Sequence, residues 1–274
     1  VFVKEPITDS PLFALDNVVC TPHLGASTNE AEENCAIAIA EQIVDFLQKG
    51  VIKNAINAPQ IAPELLERMA PLTRLTGKIG SLLGQMLDRA PRTLKIFMGG
   101  DFATFPAEPI ETAALVGLLP HFGGSDHVNE INAPYLAKER GIELQVTKRE
   151  ALTDFANVIG LKAVFDDGDL EIQASIPAPG EERIVRWGEY SITLEPEGRL
   201  LVIRNKDVPG VVGEVGTLLG EHRINIGQLR LGRRKDKSEA LMVVTIDDEI
   251  GNKEMEALRG LPKVLSAKVV YLQS

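Results

Sequence analysis

A histidine and a glutamate near the start of the chain have the types needed for acid–base chemistry. His23 lies in a Thr-Pro-His-Leu-Gly loop ahead of a predicted helix, and Glu5 lies in a separate loop beside a proline. An acid–base histidine needs a carboxylate on its second ring nitrogen, which sets the tautomer and orients the ring. Asp9 and Asp16 are alternatives to Glu5 as that carboxylate. Spacing alone leaves open that His23 is an ordinary surface histidine.

A second group of polar residues brackets a predicted strand–helix–strand unit near the end of the chain. Asn205 and Asp207 end one strand, Pro209-Gly210 begins a helix, and Asn225 begins the next strand. Asp207 and Asn225 can accept hydrogen bonds from an ammonium group, while the free amides at the helix start attract a carboxylate. The pattern predicts a site for a zwitterionic amino acid. An aspartate before Pro-Gly is also a good helix cap, and that alternative stays open here.

Two arginines on one predicted strand, Arg183 and Arg186, are candidates for an anion site. The alternative is a solvated basic strand edge. We predict no metal site, because the remaining histidines lack metal-ligand spacing: His121, His127 and His222.

The composition excludes several classes of protein. The 274 residues carry 29 basic and 39 acidic side chains, a net charge of -10, and 44% of them are hydrophobic. This acidic surface disfavours nucleic-acid binding, and no apolar run is long enough to span a bilayer. With two cysteines and no Cys-x-x-Cys pair, a disulfide scaffold is excluded and a cytoplasmic location is predicted.

Hydrophobic periodicity divides the chain into three segments, 1–57, 58–195 and 196–274. A helix is predicted over 29–48, opened by a capping box of Ser27 and Glu30 and followed by a linker over 50–63. A second helix is predicted with Pro71 in its first turn and its end near Arg89. The middle segment is α+β, with helices at 110–119 and 127–140 and four strand candidates between 157 and 194.

The last segment has the order βαββαβ, which predicts a ferredoxin-like fold. Its strands are expected at 200–205, 225–231, 240–247 and 264–272, and its helices at 210–222 and 252–259. Right-handed crossovers place both helices on one face of a four-stranded antiparallel sheet. The other face then needs a cover, which is often a second copy of the chain.

The first segment resembles the D-2-hydroxyacid dehydrogenases. Residues 1–6 read VFVKEP, residues 10–12 read SPL and residues 16–28 read DNVVCTPHLGAST, most similar to the members that oxidise 3-phosphoglycerate. The resemblance implies that His23 exchanges a proton with the substrate hydroxyl, that Glu5 orients it, and that Gly25 and Ala26 lie near the nicotinamide of NAD.

The same resemblance implies that these 274 residues hold only part of a dehydrogenase. The family also uses a catalytic arginine and a Gly-x-Gly-x-x-Gly phosphate loop, and no such loop occurs in this chain. The first residue is an apolar Val1 in place of Met. We therefore expect a piece of a longer polypeptide, with NAD bound mainly by upstream residues and little activity in this segment alone.

The other two segments resemble regulatory domains. Residues 200–274 resemble ACT domains, which implies L-serine binding between two copies at Asn205, Asp207 and Asn225. Residues 64–195 resemble the intervening domain of the longer members, proposed to bind substrate or another anion. The expected reaction is NAD-dependent oxidation of 3-phosphoglycerate to 3-phosphohydroxypyruvate in L-serine synthesis, by a homo-oligomer joined through its ACT and intervening domains. The alternatives are a non-catalytic amino-acid sensor and a dehydrogenase of another 2-hydroxy acid, such as glyoxylate or hydroxypyruvate.

Overall fold

The computed structural model describes residues 2, 5, 7–49, 54–56, 63–123, 127–149 and 155–273. The chain divides into two compact units, Val1–Pro63 and Glu64–Ser274. Most of the linker predicted over 50–63 lies outside the described residues, and the three-segment division stays a prediction.

The first unit contains a short 3-10 helix, Pro11–Ala14, and the helix α1, Asn29–Lys49. The prediction over 29–48 is confirmed, but the capping residue is Thr28, whose Oγ1 accepts the Ala31 N–H at 3.1 Å. Ser27 lies one residue before the cap, in a turn that its N–H closes on the Leu24 carbonyl at 3.1 Å. None of the described residues from 2 to 56 is buried.

The second unit begins with a six-stranded sheet in the order β2-β1-β3-β4-β5-β6. The pair β1–β2 is parallel and the other neighbours are antiparallel. The strands are β1 Thr93–Gly99, β2 Glu143–Arg149, β3 Val158–Phe165, β4 Gly168–Ser175, β5 Arg183–Trp187 and β6 Tyr190–Leu194. This is the predicted α+β middle segment, with all four strand candidates of 157–194 present.

Three helices cover one face of this sheet: α2 Pro63–Met86, α3 Glu108–Leu118 and α4 Ala133–Glu139. The prediction that Pro71 opens its helix is wrong, because α2 begins at Pro63 and Pro71 lies inside it. A proline inside a helix removes one backbone hydrogen bond and costs about 3 kcal/mol. Packing offsets that cost, because Met69, Leu72 and Leu75 around the proline are fully buried.

The helices α2 and α3 cross with backbone against backbone. A Cβ at Gly117 would overlap the Gly77 carbonyl oxygen and come within 2.7 Å of the Ser81 nitrogen. Neither neighbour is the end of a flexible side chain, so a larger residue must push the helices apart.

Gly117→Ala should therefore lower the free energy of unfolding by about 1–3 kcal/mol, the usual cost of overpacking a core. Urea denaturation of the chain measures it. Gly216→Ala is the matched control, since a Cβ there meets nothing within 4 Å and alanine favours a helix. Equal stability of the two variants would contradict the close helix contact.

The end of the chain forms a four-stranded antiparallel sheet in the order β10-β7-β9-β8. The predicted βαββαβ order is confirmed, with β7 Gly198–Lys206, α5 Val211–Glu221, β8 Ile226–Arg233, β9 Glu239–Ile246, α6 Asn252–Arg259 and β10 Val264–Leu272.

The two faces of this sheet belong to different cores. Leu201 and Ile203 pack in one cluster with residues of α5 and α6. Leu200 and Val202 pack in the cluster that contains the core of the six-stranded sheet. The cover expected from a second copy is thus supplied by the same chain, because α2 and the six-stranded sheet bury that face.

Polar contacts join the two sheets at β10. Gln85 at the end of α2 bonds both the carbonyl and the N–H of Tyr271 at 2.8 Å. Lys268 donates to the Met86 carbonyl at 2.8 Å and to Asp88 at 2.6 Å. The β10 edge is therefore held by side chains of α2 and the loop after it.

Candidate functional site

His23 and Glu5 form a side-chain hydrogen bond. His23 Nδ1 lies 2.5 Å from Glu5 Oε2, with the histidine side chain 66% exposed and the glutamate 29% exposed. Of the three carboxylates that the sequence offers, the structure pairs Glu5 with the ring. Glu5 Oε1 also accepts the Phe2 N–H at 3.0 Å. This backbone bond, followed by the bond to His23, holds the pKa of Glu5 below its usual value, so the carboxylate stays charged.

The backbone at His23 adopts an uncommon conformation. Its φ is 60°, in the left-handed region that few residues other than glycine occupy, and its N–H bonds the Thr21 carbonyl at 2.9 Å. A tight turn after Pro22 thus aims the ring toward Glu5. Backbone strain of this kind is concentrated at functional sites.

The pair lies in an open cleft of about 610 Å³ within the first unit. The cleft is partly apolar, with Phe2 and Phe13 in edge-to-face contact at 5.9 Å between ring centres. Its lining residues are Phe2, Glu5, Ile7, Phe13, Cys20, Thr21, Pro22 and His23.

Gly25 and Ala26 follow in an exposed turn between His23 and α1. A Cβ at Gly25 would meet nothing within 4 Å, so no neighbour among the described residues requires a glycine there. The geometry leaves room for a nicotinamide ring, and the role of both residues toward NAD stays a prediction.

The strand end at β7 carries two of the residues predicted for amino-acid binding. Asn205 is only 3% exposed, and its Nδ2 donates to the Lys206 carbonyl at 2.7 Å. Its Oδ1 is a buried acceptor without a partner among the described residues. A buried unpaired acceptor is uncommon and suits a ligand's donor. Asp207 Oδ2 lies 2.5 Å from Arg233 Nε on β8.

Asp207 does not cap α5, so that alternative is wrong. The capping residue is Gly210, with φ 95° and no side-chain hydrogen bond. The first amides of α5 remain available to a carboxylate. Lys263 lies beside them, with its Nζ 3.4 Å from the Pro209 carbonyl and 2.6 Å from Glu214 Oε1.

Asn225 lies at the opposite end of the sheet from Asp207, so the two residues do not meet within one copy, and the predicted site between two copies stays a prediction. At one end of the sheet, Ala240 of β9 lies between Asn205 of β7 and Arg233 of β8. At the other end, Ile246 of β9 lies between Arg199 of β7 and Ile226 of β8, and Ile226 directly follows Asn225. Seven strand steps separate the ends, about 23 Å at ~3.3 Å per residue. Asn225 instead donates through Nδ2 to Asp247 at 2.5 Å.

The two arginines predicted as an anion site are not brought together. Arg183 pairs with Glu195 at 3.1 Å and Glu181 at 3.8 Å, and it lines a cleft of about 400 Å³. Arg186 lines a separate cleft of about 340 Å³ beside Arg234. An anion can meet either arginine, but not both at once.

Arg233 is the site residue that sequence reasoning missed. In the sequence it belongs to the charged run RRKDK at 233–237, and the pairing of β8 with β9 places it beside Asp207. The signal is weak, because a run of charges between two strands is common on surfaces.

In the described ranges no group of three or more His, Cys, Asp or Glu side chains is placed to hold a metal ion. None of the helices in the described part of the chain combines the length and apolar character of a membrane span.

Two segments of the chain match known domain families. Residues 68–187 match the D-3-phosphoglycerate dehydrogenase intervening domain, and residues 199–263 match the ACT domain. These ranges lie inside the predicted segments 58–195 and 196–274.

Curated relatives resemble the chain from end to end. It is 33% identical over 273 residues to a D-3-phosphoglycerate dehydrogenase of Synechocystis, covering 99% of this chain and 49% of that protein. Identity is 33% over 272 residues to the Bacillus subtilis protein of that name, covering 99% of this chain and 52% of the relative. Identity is 34% over 275 residues to the Archaeoglobus fulgidus protein of that name, covering 99% of this chain and 52% of the relative. The chain thus spans about half the length of these relatives.

Proposed function

Because residues 68–187 form a D-3-phosphoglycerate dehydrogenase intervening domain and residues 199–263 form an ACT domain, we propose that this chain is the C-terminal portion of such a dehydrogenase. The whole enzyme oxidises 3-phosphoglycerate to 3-phosphohydroxypyruvate with NAD in the synthesis of L-serine. Two free cysteines, Cys20 and Cys35, agree with a reducing cytoplasm.

The observation that carries the proposal is the 2.5 Å pair of His23 and Glu5. In the forward reaction His23 takes the proton of the substrate hydroxyl, and the charged Glu5 stabilises the imidazolium that forms. A bound NAD would supply the hydride acceptor for the carbon that bears the substrate hydroxyl. Gly25 and Ala26 would border its nicotinamide, while the phosphate-binding loop would belong to the rest of the enzyme.

Exposed apolar side chains on α1 support a catalytic region completed by further residues. Ile37, Ile39, Ile43 and Phe46 are each more than half exposed, at 52%, 54%, 53% and 52%, and Leu47 is 75% exposed. A helix apolar on several sides is normally buried. We propose that the remainder of the dehydrogenase covers α1.

Amino-acid regulation follows from the ACT domain. Within one copy, the ends of the sheet that carry Asn225 and Asp207 are about 23 Å apart. The strand β8 is the outer strand of its sheet, so two copies can pair their β8 strands antiparallel about a twofold axis. Such pairing brings Asn225 of one copy to the end of the sheet that carries Asn205 and Asp207 of the other. We propose that L-serine binds there and joins the copies of a homo-oligomer.

Serine binding is tested by calorimetric titration of the whole chain. Asp207→Asn should weaken L-serine binding by about 10–100-fold, because a charge-assisted hydrogen bond to the ammonium is lost. Asp166→Asn, in the β3–β4 turn with the aspartate side chain 86% exposed, is the control and should leave binding unchanged. No heat of binding up to millimolar serine, either in this chain or in its Arg233→Gln variant, would overturn the sensing function.

The substrate is tested on the full-length enzyme. We expect NADH formation with 3-phosphoglycerate and much slower formation with glycerate, since a buried phosphate site rejects an analogue that leaves its polar groups unpaired. Equal rates of NADH formation with glycerate or glycolate would favour a dehydrogenase of another 2-hydroxy acid.

A further inference from the structure

The carboxylate proposed to bind an amino acid's ammonium already has a cationic partner in the chain. Arg233 Nε lies 2.5 Å from Asp207 Oδ2. The Asp207 side chain is 13% exposed, whereas that of Arg233 is 53% exposed. The acid is thus largely withdrawn from solvent, and the arginine lies on its open side.

Contacts with the intervening domain fix the residues on either side of Arg233. A Cβ at Gly232 would lie 3.0 Å from the Ser191 carbonyl oxygen and 3.2 Å from the Tyr190 Cβ, so β6 packs closely against the end of β8. On the other side, Arg234 pairs with Glu189 at 2.7 Å. Consecutive strand residues alternate faces, so Arg233 is directed away from these contacts and toward Asp207.

A ligand ammonium and the Arg233 guanidinium need the same carboxylate. Two other charged groups near the loop, Lys263 and Glu214, pair with each other at 2.6 Å. An ammonium that takes Asp207 Oδ2 displaces the arginine from that oxygen, and the free energy of the existing pair is subtracted from the binding free energy. The exposed side chain of Arg233 has room to swing outward.

We propose that Arg233 is a gate that lowers the affinity of this ACT domain for zwitterionic α-amino acids, and that the intervening domain holds the gate closed. The proposal rests on the amino-acid site proposed above and assigns its affinity control. Binding opens the Asp207–Arg233 pair and loosens the end of β8 on β6. By reciprocity, whatever shifts the intervening domain away from β8 raises amino-acid affinity.

The test is calorimetric titration of L-serine into the whole chain and three variants. Arg233→Gln should lower Kd by about tenfold, because the ligand no longer competes with one hydrogen bond between charged groups. Lys95→Gln is the control, with the same charge change at an exposed residue of β1, and should bind like the parent. Glu189→Gln releases Arg234 and should lower Kd by a smaller factor. Urea denaturation confirms that each variant is folded.

Each outcome decides a separate point. An unchanged Kd for Arg233→Gln overturns the gate, and a raised Kd assigns Arg233 to the ligand's carboxylate instead. If Arg233→Gln lowers Kd and Glu189→Gln leaves it unchanged, Arg233 is the gate but the intervening domain does not hold it closed. Binding by Arg233→Gln alone supports a gate that is closed in the parent. If no variant binds serine, the proposed sensing function fails, and the gate fails with it.

Discussion

His23→Ala is expected to reduce kcat of the full-length dehydrogenase by about 10²–10⁴-fold, the usual contribution of a positioned acid–base group. The alanine cannot take the hydroxyl proton, and no other histidine lines the cleft. KM for 3-phosphoglycerate should change little, because His23 acts mainly in the transition state. The measurement is steady-state NADH formation.

His127→Ala is the matched control, since His127 is exposed and only its backbone carbonyl is bonded, to Asn132. It should leave kcat unchanged. An undiminished rate for His23→Ala would overturn the assigned role and leave the ACT domain's sensing function as the supported activity.

Glu5→Gln should lower kcat by a smaller factor, because it removes the charge behind the ring and keeps the ring's hydrogen-bond partner. The pKa of Glu5 is held below its usual value by the Phe2 N–H and then by His23, so the carboxylate is charged above that lowered pKa. A pH of about 5 is still above the ordinary glutamate pKa of about 4.3 and so above the lowered pKa of Glu5. The ratio of parent to variant rates should therefore stay constant as the pH falls from 8 to about 5. A ratio that falls steadily across this range would contradict a permanently charged partner.

Glu182→Gln is expected to lower the free energy of unfolding by about 3 kcal/mol, toward the lower end of the cost of breaking a buried ion pair. Glu182 is 8% exposed and lies 2.7 Å from Arg74 Nε and 2.9 Å from Lys78 Nζ, both on α2. The Lys78 side chain is only 14% exposed, so without the carboxylate its ammonium is buried and poorly compensated. Urea denaturation of the chain measures the loss.

Two comparisons separate charge from packing. Asp167→Asn breaks an exposed pair with Arg89, whose side chains are 76% and 62% exposed, and should cost at most about 1 kcal/mol. The double variant Glu182→Leu with Lys78→Met removes both charges and should recover much of the stability. A loss for Glu182→Gln no larger than that for Asp167→Asn would show that α2 does not depend on this pair.

Local patterns in the sequence determined most of the secondary structure. The last segment's strands and helices follow from apolar residues repeating every second or every third to fourth position, and both α6 and β10 have the predicted bounds. The helix α1 follows from the same periodicity. These signals are short-range, so they can be read along the chain. The partner of His23 came instead from a family motif, since spacing left three carboxylates open.

Contacts between distant residues were decided only by the tertiary structure. The order of strands put Asn225 at the far end of the sheet from Asp207, and it brought Arg233 to the carboxylate. The helix α2 continues past Pro71, although proline disfavours a helix interior, because Met69 and its neighbours are buried in the core. The intervening domain took the sheet face that a second copy was expected to cover. Strand pairing and face-to-face packing join residues far apart in sequence, and no local pattern of side chains encodes which of them meet.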